Sequence, residues 1–383
     1  MSSSTEIQIS QSAIRNNIGF LKEVLGDKVK ISSVIKANAY GHGIEIFAKE
    51  VENNGINHFA VFSYLEAIRA RKVLSDSSDI MIMGWIDNDD LEDAIIQGFE
   101  FYVFDLEKLK CAIKLSAKLN MKAKIHIEVE TGLNRTGLNA KEFNKTIKLI
   151  QANEGALVIK GICSHLAGPE SIANHVRVKK QINTFKSRIR KLTNNSIFPE
   201  YKHIACSAGA FSYPEARFNM VRIGIMQYGY WSSKETYLRF IHNKKNIVDP
   251  LKRVICWKTK IMSIKKVKTG DFISYGTTYL AQDDMKIGII PIGYSNGYSR
   301  SLSNNGRVLI NGVRCGIIGL VNMNMIIANL TNLDDAKIGD EVIIVGNQED
   351  LSISVDSFSE ISQQVNYEIL SRIPLDIHRK LVE

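Results

Sequence analysis

Lys36 stands in the run Val34-Ile35-Lys36-Ala37-Asn38-Ala39-Tyr40-Gly41-His42-Gly43, directly after an apolar stretch that reads as a strand beginning near Val29. A lysine at a strand end can be partly desolvated, which lowers its pKa and makes the amine a nucleophile able to form a Schiff base with an aldehyde. From position alone a solvated lysine is the simpler reading. Further along, His126, Glu128 and Glu130 alternate, so their side chains share one face of a strand. A carboxylate buried there is costly unless paired, and Arg135, seven residues beyond Glu128, is the expected partner, directly or through a water.

The elements that must position these residues come next. Short apolar runs begin near Val29, His58, Ile80, Phe101, Lys122, Leu157, Lys202 and Met220, and most of the gaps between them carry helical periodicity. Ile14, Ile18, Leu21 and Leu25 form one such stripe, and Ile44, Phe47, Ala48 and Val51 another. Strands alternating with helices predict an α/β fold, and eight of them a (β/α)8 barrel over residues 1–243. Beyond it the pattern changes to short β-rich runs: Val254–Ile264, Phe272–Tyr275, Ile287–Ile290, Val308–Cys315 and Val342–Val345. Asn305-Gly306 and Asn311-Gly312 punctuate them as tight turns, and a late helix is expected from about Val355 to Val365. Residues 244–383 therefore predict a mainly β domain.

In a βα barrel chemistry sits at the carboxyl ends of strands, and phosphate often binds at the loops after the seventh and eighth. Those loops contain Ser207 and Gly224-Ile225, whose hydroxyl and amides are candidate donors; a surface serine and a turn glycine are the alternatives.

Bulk properties bound the class. The net charge of +9 is densest from Arg177 to Lys191, but Val178, Ile182, Phe185 and Ile189 recur there at helical spacing, so the charges line a solvated helix face. No stacking aromatics interleave that run, which argues against a nucleic-acid partner and leaves an anionic small molecule. Cys111, Cys163, Cys206, Cys256 and Cys315 are scattered and odd in number, fitting neither a disulfide framework nor a zinc site; no metal is expected. Met1–Ser12 are polar and no run approaches the roughly 20 apolar residues of a membrane span, so a cytoplasmic protein with no membrane partner is expected.

The octet Lys36 to Gly43 closely resembles the cofactor segment of the alanine racemase family. Further matches follow in order: Thr131-Gly132-Leu133-Asn134-Arg135-Thr136-Gly137, Ser164-His165, Val221-Arg222-Ile223-Gly224, Ser274-Tyr275-Gly276-Thr277, Pro291-Ile292-Gly293-Tyr294 and Tyr367-Glu368-Ile369. The resemblance implies a pyridoxal-phosphate-dependent racemase, a homodimer with shared active sites, interconverting L- and D-alanine, with D-alanine destined for peptidoglycan. It assigns the covalent cofactor link to Lys36 and the phosphate to Ser207, Gly224, Ile225, Tyr40 and Tyr367. Arg222 is to face the pyridine nitrogen, with His165 supporting the network. Tyr275 is to reach the substrate from the second subunit as the second base, with Met323 and Arg135 meeting the substrate carboxylate.

The chemistry of those types is consistent with the assignment. Racemisation needs proton-transfer groups on both faces of the α-carbon. A guanidinium only donates, so a ring nitrogen facing Arg222 stays unprotonated and withdraws electrons weakly, which favours return of the proton to the α-carbon. A phenol needs a nearby cation to act as a base near neutral pH, and Arg135 is the candidate.

Several positions depart from the family pattern. Glu128 replaces a carbamylated lysine and is expected to hold its carboxylate permanently; Glu130 replaces aspartate. Cys206, Asn296, Asn322, Asn324 and Leu375 replace asparagine, aspartate, cysteine, aspartate and arginine. The asparagines beside Met323 leave a serine or broad-specificity racemase as the alternative. A decarboxylase of similar architecture would call for a carboxylate where Arg222 stands, and a non-catalytic cofactor carrier would need no second domain.

Overall fold

The computed structural model describes residues 5–242, 248–362 and 366–383. Its strands are β1 (Glu6–Ser10), β2 (Lys30–Val34), β3 (His58–Val61), β4 (Asp79–Ile82), β5 (Glu100–Val103), β6 (Ala123–Glu128), β7 (Leu157–Cys163), β8 (Tyr201–His203) and β9 (Met220–Ile223). There follow β10 (Ile255–Lys260), β11 (Ser263–Val267), β12 (Met285–Ile290), β13 (Arg307–Ile310), β14 (Val313–Gly316), β15 (Ile326–Asn329), β16 (Glu341–Gln348), β17 (Leu351–Ile353) and β18 (His378–Val382). Two compact units result. One holds Ile14–Lys36 and Ala48–Lys252, the other Met1–Ala13, Ala37–Phe47 and Arg253–Glu383.

The first unit is the expected barrel. Strands β2 to β9 pair in the order β8-β7-β6-β5-β4-β3-β2-β9, and every ladder is parallel. Closure comes between β8 and β9, where Cys206 bridges Arg222 and the Arg222 amide donates to the Ala205 carbonyl at 3.0 Å. Strands buried on both faces explain the near-continuous apolar runs. The barrel interior, however, is not uniformly apolar: His58, Glu100, His126 and His203 are completely buried and bonded to one another, His58–Glu100 and His126–His203 across strands that are not neighbours. The basic stretch lies on the helix His175–Thr193, burying Val178, Ile182 and Phe185.

The second unit is built from two sheets. One runs β14-β13-β16-β10-β1-β18 with β17 on β16, the other β11-β12-β15. Ile273, Ala281, Met285, Ile287 and Ile318 form a core in this unit. The expected run Val254–Ile264 splits between the two sheets as β10 and β11, and Phe272–Tyr275 contributes only a bridge from Phe272 to Leu280. Val308–Cys315 is a two-residue hairpin: Ile310 pairs with Val313 across Asn311 and Gly312, at φ 47° and 71°, the twist a type I′ turn requires. The late helix spans Val355–Ser362, and residues 363–365 of its expected range lie outside the described residues.

Strand β1 lies in the larger sheet of this unit, antiparallel to β10 and parallel to β18, although it precedes the barrel in the chain. The boundary expected at 243/244 falls in residues 243–247, outside the described residues. No helix among the described residues is long and apolar enough to cross a membrane.

Directly after Lys36 the backbone turns left-handed for four residues: Ala37, Asn38, Ala39 and Tyr40 have φ of 52°, 54°, 52° and 50°. For residues with a Cβ this costs about 1–2 kcal/mol each, so the surroundings must over-determine it. The Gly41 amide donates to Ala37 O at 3.0 Å, Gly43 to Asn38 O at 2.9 Å, and Ile44 to Asn38 Oδ1 at 3.2 Å. His42 Nδ1 donates to Ala39 O and Tyr40 O at 3.0 and 2.9 Å, and Arg379 Nε to Gly41 O at 3.0 Å. A Cβ on Gly41 would come within 2.2 Å of Leu370 O.

Gly26 and Gly41 are both left-handed, at φ 74° and 79°, but nothing lies within 4 Å of a Cβ on Gly26. Gly26→Ala is therefore expected to cost about 1 kcal/mol in urea unfolding and Gly41→Ala roughly 2–4 kcal/mol. Equal costs would show that the approach to Leu370 is not a constraint.

Candidate active site

Lys36 follows β2, whose end is held from the turn after β9. Gln227 Nε2 and Tyr228 Oη both donate to Val34 O at 2.9 Å, and Ser33 Oγ donates to Gln227 Oε1 at 2.7 Å. Ile35 N donates to Ala60 O at 2.9 Å, fixing the other side of the strand end. The amine is not a solvated strand-end lysine: burial first, then the charges of Arg135 and Arg222, lower its pKa against the opposing pull of Glu66. Its Nζ lies 6.0 Å from the centre of the Phe62 ring.

Arg222, on β9, is 4% exposed. Nη1 donates to His203 Nδ1 at 2.5 Å and His203 O at 3.1 Å; Nη2 donates to Ser164 O at 2.7 Å, to His165 Nδ1 at 3.3 Å and to Ile204 O at 3.4 Å. Among the described residues no carboxylate bonds this guanidinium directly. His165 therefore faces a cation, and burial, Arg222, Arg135 and Lys36 push its pKa down to about 3. The chain around it is pinned by Gln181, which donates to His165 O at 2.9 Å and accepts from Ala167 N at 2.8 Å.

The loops after β8 and β9 meet, as the phosphate expectation requires. Ser207, 3% exposed, opens the helix Ser207–Ser212, and its Oγ accepts from Gly224 N at 2.9 Å. Ile225 begins the 3-10 turn Ile225–Tyr228. Ser207 and Gly224 are therefore joined and buried, and neither alternative reading, a surface serine or an isolated turn glycine, describes them.

The direct link expected from Glu128 to Arg135 is not made, which leaves the link through a water. Glu128 Oε1 accepts from Thr136 Oγ1 at 3.0 Å, and among the described residues Glu128 makes no hydrogen bond or ion pair with Arg135. Its charge is also not unconditional, because burial raises its pKa against Thr136 and the fields of Arg222 and Arg135. Thr136 takes the pairing because the loop from β6 to Leu138 folds back, with Leu138 N on Glu128 O at 2.8 Å. Glu130 instead caps that loop, accepting from the amides of Gly132 and, at 3.0 Å, Asn134.

The remaining expected residues belong to the other unit. Tyr40 and Tyr367 pack edge to face with ring centres 6.0 Å apart. Tyr275 is 71% and Met323 57% exposed. Their loops are joined by Ser274 Oγ, which donates to Leu320 O at 2.9 Å and Asn322 Oδ1 at 3.0 Å. Ser295 Oγ donates to Met323 O at 2.8 Å, and Asn324 Nδ2 to Ser295 Oγ at 2.7 Å.

Sequence reasoning missed His203, Gln181 and Gln227. For His203 a signal existed, since it alternates with Tyr201 on a strand and must share its face. The two glutamines carry no such signal, because their roles depend on backbone groups brought near by the fold.

Buried neutral histidines make stability depend on pH. His42 is held down to about 4 by burial, and His165 to about 3. Above the unfolded value near 6.5 neither state is protonated and the stability is fully present. As pH falls below 6.5 the unfolded chain takes up protons that the folded chain refuses, so stability declines toward the folded values. Unfolding free energies from urea titrations between pH 7.5 and 4.5 should fall below pH 6.5, by about 1.4 kcal/mol per pH unit for each such histidine, and His165→Gln should flatten the slope. A profile flat from 6.5 to 4.5 would contradict this.

Two family models cover most of the chain: alanine racemase, N-terminal domain, over residues 9–232, and alanine racemase, C-terminal domain, over residues 254–381. An alanine racemase of Leptospira interrogans is 31% identical over 381 residues, covering 99% of this chain and 96% of that protein. The crystal structure of the Bacillus anthracis alanine racemase with bound L-Ala-P superposes with a TM-score of 0.90 at 31% identity, covering 100% and 96% of the two chains. That of Bartonella henselae, with covalently bound pyridoxal phosphate, superposes with a TM-score of 0.85 at 28% identity over 100% of both. With both family domains matched in order and a full-length relative above 30% identity, this chain belongs to the alanine racemase family of isomerases.

Proposed function

We propose that the protein interconverts L- and D-alanine with pyridoxal phosphate bound through Lys36, as a homodimer in which each site uses the partner subunit's Tyr275. The observation that carries this reading is the half-buried Lys36 amine, lowered in pKa by desolvation, Arg135 and Arg222, at the carboxyl end of the first barrel strand. The donor set fits the cofactor. A desolvated amine suits an aldehyde, the Ser207 hydroxyl proton, left over after its oxygen accepts from Gly224 N, suits a phosphate together with the Ile225 amide, and a guanidinium suits a ring nitrogen that accepts.

When bound, the cofactor supplies an electron-withdrawing ring attached to the substrate nitrogen. Lys36, freed when substrate takes its place, moves a proton to or from one face of the α-carbon, and Tyr275 Oη does so on the other. Arg135 supports the carboxylate end of the substrate and lowers the cost of a phenolate nearby. Met323, exposed on the loop joined to Ser274, offers its backbone amide to that carboxylate. Arg222 presents only donors, so it never protonates the ring nitrogen, and electron withdrawal stays weak enough that proton return outpaces bond-breaking side reactions. His165 stays neutral beside it.

Alanine is preferred to serine as the substrate because the unusual asparagines already have a use. Asn322 Oδ1 accepts from Ser274, and Asn324 Nδ2 donates to Ser295, so both hold loops together.

Lys36→Ala should lose the visible absorbance of bound cofactor together with racemisation, and Tyr275→Phe should lower kcat by about 10²- to 10⁴-fold with absorbance retained. Mixing the two inactive variants should restore activity through hybrid dimers with one intact site. An unaltered cofactor spectrum in Lys36→Ala, or no recovery despite demonstrated subunit exchange, would overturn the assignment.

A further inference from the structure

The barrel interior contains a polar chain for which the proposed reaction has no assigned use. Beginning at Arg222, Nη1 donates to His203 Nδ1 at 2.5 Å, and His203 Nε2 lies 2.8 Å from His126 Nδ1. His126 Nε2 lies 2.7 Å from Glu100 Oε2, which also receives His58 Nε2 at 3.1 Å. His58 Nδ1 is 2.9 Å from Ser32 Oγ, and the other Glu100 oxygen is 3.2 Å from Lys160 Nζ, which also pairs with Glu200 at 2.7 Å. The chain thus crosses the barrel from β9 through β8, β6 and β5 to β3 and β2, with Glu100 and its three histidines 0% exposed.

We propose that Glu100 is a positioning residue for the reaction, terminating a one-directional hydrogen-bond chain through His126 and His203 that fixes the orientation of Arg222. Direction follows from the two ends. A guanidinium has no acceptor, so His203 Nδ1 must accept and its single proton sits on Nε2. That proton can only be donated to His126 Nδ1, which leaves the His126 proton on Nε2, pointing at a carboxylate that only accepts. Any reversed link places two donors head to head in a dry interior. The charge states agree with this order. Burial lowers both His126 and His203, keeping them neutral, and although burial alone would raise Glu100, the bonds from His126 and His58 hold its carboxyl well below the usual range.

The fold reserves space for this chain. A Cβ on Gly161, the β7 residue paired with His126, would come within 2.2 Å of His126 Nδ1. The β6–β7 register also shifts at Ile125/His126, where β7 carries the extra residue Lys160, whose ammonium reaches Glu100. The relay supplies Arg222 with an anion three links away, leaving its Nη2 side to the carbonyls and to His165. A carboxylate placed directly against Arg222 would instead draw the guanidinium into an ion pair. His58, Glu100 and His126 also have the donor atoms of a metal site, within 4.8 Å of one another. The Lys160 ammonium against Glu100 opposes a cation there, and the two imidazole N–H groups already satisfy the shared oxygen.

The effect on turnover rests on the proposed role of Arg222, whereas the proton pattern does not. The test is magic-angle-spinning NMR of the holoenzyme labelled with ¹⁵N-histidine, with two of its eight histidines assigned by loss of signal in His126→Gln and His203→Gln. Expected between pH 6 and 8 are neutral His126 and His203, each protonated on Nε2. In Glu100→Gln the amide can donate as well as accept, so His126 should populate both tautomers and kcat fall about tenfold with KM nearly unchanged. A proton on Nδ1 of His203 or an imidazolium at either position in the wild-type enzyme would overturn the relay without needing any variant. So would stoichiometric zinc in the purified protein, or unchanged tautomers and kcat in Glu100→Gln. The expected pattern in a protein inactive toward alanine would sink the proposed function and leave the relay standing.

Discussion

A guanidinium sealed inside a barrel is the constraint on which the rest of the first unit depends. Arg222 is 4% exposed and offers five donors and no acceptor, so everything packed around it must accept. Ser164 and Ile204 turn their carbonyls to it, His203 and His165 present ring nitrogens, and the strand pairing that closes the barrel runs through its own amide. Its charge then spreads outward. It helps lower Lys36, keeps His165 neutral and, through His203 and His126, calls for a carboxylate at Glu100. A chain that placed an aspartate at this position would require a different protonation pattern at every one of these neighbours.

The second constraint is conformational. Lys36 follows a regular strand and immediately precedes four left-handed residues, none of them glycine. Such a turn holds only because Asn38, His42 and Arg379 each satisfy one or more of its backbone groups, and because Gly41 leaves room for Leu370 O. Strain of this kind, held by its surroundings, clusters where geometry matters more than local stability.

The barrel was readable from the sequence because most of its strands are buried on both faces and so show an apolar run flanked by helical stripes. The hairpin at Asn311-Gly312 was readable for a local reason, since few other pairs tolerate two positive φ angles. What escaped notice depends on distant partners. Strand β1 joins the larger sheet of the second unit through pairing of Glu6 with Lys258, a contact some 250 residues apart that no window of sequence contains. Glu128 turned to Thr136 because the β6 loop folds back on its own strand, which spacing to Arg135 does not reveal. The octet after the first strand, by contrast, carried both the cofactor expectation and the family, because its function requires specific side chains in a fixed order.

Under the proposed function, Arg222 would keep the cofactor's ring nitrogen unprotonated, because a guanidinium can only donate. The direct measurement is the ¹⁵N chemical shift of the ring nitrogen in pyridoxal phosphate labelled at that atom and bound to the enzyme. The account requires the shift of an unprotonated, hydrogen-bonded pyridine at every pH from 6 to 9, where the guanidinium cannot titrate. A pyridinium signal anywhere in that interval would contradict it.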